Sequence, residues 1–385
     1  MYNSHITDPG EWLWWSQRDE NKSLTMEQKT QKFLHEASLY QEFLSFQAQQ
    51  QALSQQQMSG GGANRVFTST IQLQKAMVGW YANQGVSDLK YGPIENWDVS
   101  RVTSFAFVVG GENPFYDSLA DYQTTYSRFN RDLSGWDVSN GTDFQFMFFE
   151  CQAYNNAGVS LSGWDVSKAT NFNGMFSQVS DFVGVGVDSW NMSNATDISF
   201  MFSGCKLFNI NLNGWDTSNV TDMSGVFETT PAYNQPLNSW DVSKVTTMTE
   251  MFNCQIDGGI FNQPLSSWDT SNVIDMSFMF NGAESFNQDI SNFDFSSVVL
   301  NSRFGSVYSA QRFLGIVLGA PYNINTSTAM SVANYSTLLI SIASQTLNAN
   351  ILFDAGDTQY SAGAAATARA TIVSTPWTIT DGGQA

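Results

Sequence analysis

One phrase recurs along the middle of the chain and limits the folds that the chain can adopt. Its clearest copy is Leu265–Phe280, in which Trp268 precedes an aspartate and a short Ser/Asn-containing stretch. An aromatic residue takes the same place in every copy: Trp97, Trp136, Trp164, Trp190, Trp215, Trp240, Trp268 and Phe293. The gaps between these residues are 39, 28, 26, 25, 25, 28 and 25 residues. Spacing in this range is typical of repeat arrays, in which stacked units share one core.

Five copies also contain the pattern Leu-x-x-Trp-x-Val, with Thr in place of Val in two of them, as at Leu133, Trp136 and Val138. This pattern has the shape of the leucine-rich-repeat strand, L-x-x-L-x-L, so we expect a strand there. The following segment, such as 220–227, spaces its apolar residues by three or four, which predicts a helical or 3₁₀ turn on the outer face. A second aromatic residue precedes many of the tryptophans and completes the core: Phe129, Phe208, Tyr233, Phe261 and Phe286. The predicted fold class is α+β, a leucine-rich-repeat-like β-solenoid of about eight coils over 97–330 with the tryptophans inside.

The two ends of such an array need caps, because an open end exposes core and backbone. We predict an N-terminal cap over 63–96 that contains an amphipathic helix at 70–81. The side chains available to cover the first coil are Ile71, Met77, Val78 and Tyr81. We predict a C-terminal cap over 331–385. Its expected elements are helices over 332–343 and 364–373 and strand-and-turn segments over 350–356 and 377–383.

The repeats resemble a known family. Their shared phrase, Trp-Asp-Val-Ser-Asn-Val-Thr-Asp-Met-Ser with Met-Phe and Phe-Asn-Gln-Pro-Leu, is similar to the BspA-like surface repeat, also called the mycoplasma lipoprotein-associated repeat, over roughly 91–295. The closing Trp-Thr-Ile-Thr-Asp-Gly-Gly is similar to the tail that follows these repeats in bacterial surface proteins. The resemblance implies a leucine-rich-repeat-type solenoid on cell-surface or virion proteins, often with adhesive roles and without catalytic residues. The chain departs from the pattern by an insertion between Gly110 and Ser127, and again at Phe293.

The N-terminal part looks like an anchor for the array. Residues 1–24 hold a tryptophan cluster, 25–57 read as one long helix with apolar residues on two stripes, and 58–62 form a glycine-containing hinge. Two apolar stripes indicate burial on more than one side, as in an oligomer. The expected partner-binding residues are Trp12, Trp14, Trp15, Phe33, Tyr40 and Leu44. The alternatives are that the tryptophans fold back on their own chain and that the helix packs on its own repeats.

Composition limits the classes of partner that the chain is expected to bind. The net charge is −19 with only 16 basic residues, which argues against binding to nucleic acid and to anionic membranes. No apolar run is long enough for membrane insertion. Charged residues make up only 13 %, while polar uncharged and aromatic residues abound, a balance that suits extracellular binding surfaces. The first residues lack the basic and apolar regions of a signal peptide, so we expect a virion protein released by lysis.

The residue after each tryptophan is acidic in all but one copy. The candidate ligand-binding or cation-binding residues are Asp98, Asp137, Asp165, Asp216, Asp241, Asp269 and Asp294, with Asn191 as the exception. In the predicted register these side chains point away from the core, about 5 Å apart along the stack. One interpretation is that each accepts hydrogen bonds from the amides of the following turn. The other is a ladder that holds Ca²⁺ or binds polar ligands such as glycans. A further partial ladder runs through Asp143, Asp197, Asp222 and Asp275.

Catalysis has little support in the sequence. The histidines, His5 and His35, lie outside the repeats, and no phosphate loop or nucleophile elbow is present. Cys151, Cys205 and Cys254 fall in alternate coils, about 10 Å apart, so we expect buried free thiols rather than disulfides.

These observations predict a non-enzymatic virion structural protein of the phage tail, fibre, knob or capsid-decoration type. Residues 1–57 would bind other virion proteins as a homo-oligomer, and the solenoid would be displayed on the virion surface to bind a host glycan or protein. The alternatives are a cellular surface adhesin and an intracellular protein-interaction scaffold.

Overall fold

The computed structural model describes residues 65–111, 126–254, 258–299, 313–315, 330–348, 351–355, 358–375 and 377–385. These residues belong to one compact unit, Asn64–Ala385. The docking peptide at 1–24, the helix at 25–57 and the hinge at 58–62 lie outside the described residues, so their structures and the domain limits stay predictions.

An N-terminal cap precedes the first repeat. It consists of helix α1 (Thr70–Ala82), helix α2 (Gln84–Tyr91) and a 3₁₀ turn (Ile94–Asn96). Ser69 caps the N-terminus of α1, because its hydroxyl oxygen accepts a hydrogen bond from the Gln72 amide. Asn83 caps α2 likewise, by accepting from the Val86 amide.

Helix α1 packs on the array by one face. Leu73, Met77 and Trp80 are buried, and the Tyr81 hydroxyl donates to the Val109 carbonyl at 3.0 Å. The expectation that Ile71 covers the first coil is wrong, because its side chain is 56 % exposed on the other side of the helix.

Successive repeats stack through parallel backbone bridges, one residue per repeat. The bridged residues stand seven positions after each tryptophan and pair in the order Ser104, Asp143, Asn171, Asp197, Asp222, Thr247 and Asp275. After each bridged residue from Ser104 to Thr247, every second backbone amide donates a hydrogen bond to a carbonyl of the next repeat. The Phe144 amide donates to the Asn171 carbonyl at 2.8 Å, and the Phe148 amide donates to the Met175 carbonyl at 2.9 Å.

The strand predicted at Leu-x-x-Trp-x-Val is wrong. The structure has a turn there, closed by a hydrogen bond from the Trp136 amide to the Leu133 carbonyl at 3.0 Å. The intervening Ser-Gly favours a turn over an extended backbone. The bridges lie on the following segment, which also makes the expected tight turns, as from Met147 to Phe144 at 3.2 Å. The leucine-rich-repeat-like β-solenoid of about eight coils stays a prediction.

The tryptophans lie inside the array, as predicted. Four pairs of rings from neighbouring repeats stack, among them Trp164 and Trp190, with centroids 6.1 Å apart and planes 7° apart. The Trp190 indole nitrogen also donates to the Leu161 carbonyl of the preceding repeat at 3.0 Å. The second aromatic column is confirmed too, with Phe208 and Tyr233 stacked at 5.9 Å. Stacked rings and indole hydrogen bonds together tie each repeat to its neighbour.

The C-terminal cap has the expected helices and the two expected strands, and a third strand, β1, precedes the predicted cap. Helix α3 (Val332–Ala343) and helix α4 (Ala364–Ser374) match the predicted positions closely. Strands β1 (Phe313–Gly315), β2 (Leu352–Asp354) and β3 (Thr378–Thr380) form a parallel sheet in that order. Two further 3₁₀ turns lie within the array, at Asn156–Gly158 and Val187–Ser189.

The cap closes the last repeat by hydrogen bonds from Gln345, just after α3. Its side-chain oxygen accepts from the Phe295 amide at 2.7 Å, and its nitrogen donates to the Phe293 carbonyl at 2.8 Å. Among the described helices, none combines the length and the apolar character needed to cross a membrane.

Candidate functional site

The acidic residues that follow the tryptophans each shape a turn. The serine amide two residues on donates to the aspartate side chain at 2.8–3.1 Å. The pairs are Ser100–Asp98, Ser139–Asp137, Ser167–Asp165, Ser218–Asp216, Ser243–Asp241, Ser271–Asp269 and Ser296–Asp294. Asn191 accepts from Ser193 in the same way at 3.1 Å. The interpretation of these residues as hydrogen-bond acceptors is therefore confirmed.

These carboxylates also form an outward row. The side chains of the inner repeats are exposed, while Asp98 and Asp294 at the two ends are half-buried. Hydrogen bonds from Ser167 lower the pKa of Asp165, and serine hydrogen bonds lower the pKa of Asp216 and Asp241 likewise. These three carboxylates therefore stay charged at neutral pH.

A calcium site along this row has no support in the geometry. Within the parts of the chain that the structure describes, no three His, Cys, Asp or Glu side chains gather into a group that could hold a metal ion. Calcium takes six to eight oxygen ligands, whereas this row offers one carboxylate per repeat. Binding of a glycan or a protein by the row stays a prediction.

The second acidic ladder coincides with the bridged residues. Asp143, Asp197, Asp222 and Asp275 are half-buried, and each accepts from the amide two residues on. Burial raises the pKa of Asp197, against the effect of its hydrogen bonds from Ser199, and the charge of Asp222 raises it further. This ladder is less well hydrated than the outer row.

Beside this ladder runs a column of phenylalanines that sequence reasoning missed. Ten residues after the tryptophans stand Phe107, Phe146, Phe200 and Phe278, all half-buried and all with positive φ between 50° and 58°. The same place holds Gly174, Gly225 and Glu250 in the other repeats. The alternation of Phe and Gly before Met-Phe or Val-Phe is the sequence signal that could have revealed it.

Each glycine of this column makes room for a ring. A Cβ atom on Gly174 would lie 2.2 Å from the Phe146 ring, and one on Gly225 would lie 2.3 Å from the Phe200 ring. The phenylalanine of one repeat therefore lies over the glycine of the next.

Two glutamates of the same repeats, Glu228 and Glu250, were also missed by sequence reasoning. Glu228 accepts from the Ser203 hydroxyl at 3.0 Å, and burial raises its pKa. Burial raises the pKa of Glu250 as well, and the charges of Glu228 and Asp275 add to that effect. Carboxylates from three successive repeats thus act on one another.

The remaining predicted site residues fall into two groups. Those of the anchor lie outside the described residues: Trp12, Trp14, Trp15, Phe33, Tyr40 and Leu44. The cysteines are free and buried, as expected. Burial raises the pKa of Cys151 and Cys205, so both thiols stay protonated and inert.

Stacked repeats, buried ring columns and regular outward rows define a tandem-repeat protein. A family model described as "Mycoplasma protein of unknown function, DUF285" matches residues 75–184, 124–212, 174–257, 196–315 and 258–334. The matches cover more than half of the chain, and the chain belongs to this family. The resemblance to the BspA-like repeat is thereby confirmed at the level of the repeat family. No curated protein and no solved structure matches the chain.

Proposed function

We propose that the chain is a non-enzymatic attachment protein. Residues 1–57 hold it to other structural proteins, as an oligomer, and the repeat array presents its outer faces to a glycan or protein on a host surface. The observation that carries this proposal is the regularity of those faces, which repeat one side chain per unit across the array. A repeated surface gains avidity when the partner also repeats.

The interior of the array supports this role. Ring columns fill the core, and the indole nitrogens and many backbone amides are used in hydrogen bonds between repeats. The buried thiols of Cys151 and Cys205 are protonated. The groups that remain able to meet a ligand are those on the outer faces, which suits binding more than catalysis.

We place the protein on a virion, with a cellular surface adhesin as the alternative. The virion setting draws its support from the tryptophan cluster, helical pattern and hinge of residues 1–62. The family description, which names Mycoplasma proteins, favours a cellular protein over a viral one. An intracellular scaffold fits the polar, aromatic composition less well.

The proposal is tested by deletion of residues 1–62. Residues 64–385 form a compact unit, so the shortened chain is expected to stay folded and monomeric. It should lose its place in the particle or oligomer that carries the full chain. Assembly of the shortened chain in unchanged amount would contradict the anchoring role.

A further inference from the structure

One part of the phenylalanine column carries its rings among carboxylates. Phe200 and Phe278 are half-buried and follow the bridged residues Asp197 and Asp275 by three positions. Phe200 lies over Gly225, and Gly225 stands three residues from both Asp222 and Glu228 in the same repeat. The ring therefore lies close to the turn that carries those two carboxylates.

The next two repeats continue this pattern. Glu250 occupies the phenylalanine position of its repeat, and Asp275 precedes Phe278 by three residues in the one after. The charges of Glu228 and Asp275 both act on Glu250. We call these residues the acidic-aromatic face: Phe200, Asp222, Glu228, Glu250, Asp275 and Phe278.

The face is negative without basic residues of its own. In the described repeats, the residues seven, ten and thirteen positions after each tryptophan include no lysine or arginine. The sequence from 126 to 299 holds 19 acidic and 5 basic residues, so the surroundings are also negative. Partly desolvated carboxylates that repel one another gain most from an incoming cation. Aromatic ring faces attract cations as well.

We propose that the acidic-aromatic face docks a basic segment of a partner polypeptide. Lysine or arginine side chains lie against Phe200 and Phe278 and pair with Glu228 and Glu250. This inference rests on the proposed attachment function and names the partner chemistry of one face.

A glycan fits this face less well. The Ser203 hydroxyl already donates to Glu228, and the Ser199 hydroxyl donates to Asp197, so these donors are occupied. Acidic glycans would meet like charge along the whole face. Neutral glycans would leave the repulsion between the carboxylates unrelieved.

The test uses the full chain and a soluble peptide in which lysine alternates with serine, with a peptide of glutamate and serine as the negative probe. Glu228→Gln with Glu250→Gln is expected to weaken binding of the lysine peptide about tenfold, because two charge-assisted contacts are lost. The matched control, Asp188→Asn with Asp289→Asn, removes the same charge from exposed positions outside the acidic-aromatic face and the outer row. It should change binding less than about twofold, since exposed charges act weakly and are screened.

Phe200→Leu keeps an apolar side chain at this position but removes the aromatic ring. The loss of the attraction between ring and cation should weaken binding of the lysine peptide several-fold. Melting temperatures of all variants verify that they are folded. An equal loss in the Glu and Asp double variants would overturn the proposal, because binding would then follow net charge alone. Binding of a neutral glycan that Phe200→Leu removes and the Glu variant leaves intact would also overturn it, in favour of a glycan.

Failure of this inference can be told apart from failure of the attachment function. If the chain still attaches to its host surface but the lysine peptide ignores the Glu variant, only the acidic-aromatic face is wrong. If the peptide result holds but the chain attaches to no surface, the attachment function is wrong and the face remains a basic-peptide site.

Discussion

Tyr233 places a hydroxyl group in an inner column that holds phenylalanine in the neighbouring repeats. Its ring stacks between Phe208 and Phe261 at 5.9 and 6.2 Å. The hydroxyl is buried without a hydrogen-bond partner among the described residues. In the same column the Tyr154 hydroxyl donates to the Asn156 side chain at 3.2 Å. The two tyrosines share a column and differ in whether the hydroxyl is satisfied.

Tyr233→Phe is expected to raise the free energy of unfolding by about 1 kcal/mol, because an unpaired buried hydroxyl is removed. Tyr154→Phe should lower it by about 1 kcal/mol, because a hydrogen bond is lost. Urea denaturation of both variants measures the difference. Destabilisation by Tyr233→Phe equal to that by Tyr154→Phe would show that the Tyr233 hydroxyl is satisfied.

The glycine under Phe200 offers a second residue-scale prediction. Gly225 has φ 58°, and an added Cβ would meet the Phe200 ring at 2.3 Å. Gly225→Ala should therefore cost roughly 2–4 kcal/mol from strain and overpacking. Gly214 has no heavy atom within 4 Å of an added Cβ, so Gly214→Ala serves as the control and should be neutral or slightly stabilising. Similar stabilities of the two alanine variants would disprove the close approach of Phe200.

At the residue scale, the sequence predicted the residues whose position is set within a single repeat. It missed the residues whose position depends on contacts between two repeats. Trp inside and Asp outside follow from apolar periodicity and turn chemistry within a single copy. The fit of Phe200 over Gly225 depends on which residues meet between neighbouring repeats. A reading of each copy by itself does not contain that information.

Among the elements, the C-terminal cap depends on one buried carboxylate. The Asp381 side chain is 1 % exposed, and the Arg369 guanidinium donates to both of its oxygens at 2.7 and 3.1 Å. The Tyr335 hydroxyl, from α3, donates to the same carboxylate at 2.9 Å. The hydrogen bonds that Arg369 donates to Asp381 raise the pKa of Arg369, so the guanidinium stays charged.

Asp381→Asn should lower the stability of the cap by roughly 3 kcal/mol, since a partly buried arginine loses its counter-charge. Asp289→Asn is the control, because Asp289 is exposed and asparagine can still accept from the Ser291 amide. Limited proteolysis with mass spectrometry would detect earlier cleavage within 331–385 in the Asp381 variant alone. Equal resistance of both variants would contradict the role of this ion pair.

The caps were more predictable than the repeats at this scale. Helices α3 and α4 follow from apolar spacing over more than ten residues. Within a repeat, two short segments could each be predicted as the strand. Leu-x-x-Trp-x-Val has the more familiar strand pattern, but the backbone bridges lie on the segment that follows it. The segment that bridges between repeats contains residues with positive φ, such as Phe146 and Phe200. Positive φ is unusual for phenylalanine, so backbone propensity does not predict it.

For the whole molecule, two sets of acidic residues predict opposite responses to pH. The folded-state pKa of Asp197, Glu228 and Glu250 is raised, so their contribution favours the fold at low pH and is lost as pH rises through the folded pKa values. The folded-state pKa of Asp165, Asp216 and Asp241 is lowered. Their contribution to stability is therefore present above pH 3.8, the ordinary aspartate pKa, and is lost as pH falls through the folded-state pKa values.

Stability should therefore be greatest near the ordinary glutamate pKa of 4.5 and fall toward neutral pH. The net charge of −19 at pH 7 acts in the same direction through self-repulsion. Denaturation midpoints measured across this range at low protein concentration test the prediction. Glu228→Gln with Glu250→Gln should flatten the fall above 4.5, and an unchanged slope would contradict the coupling of these groups.

The attachment function of the whole molecule is tested most directly by competition. Residues 64–385, purified as a soluble compact unit, are added to the host surface before the virion or cell that carries the full chain. The account predicts that attachment falls with increasing concentration of this unit, because the repeat faces occupy the same receptor. Undiminished attachment in the presence of the folded unit would contradict the proposal that the array is what binds.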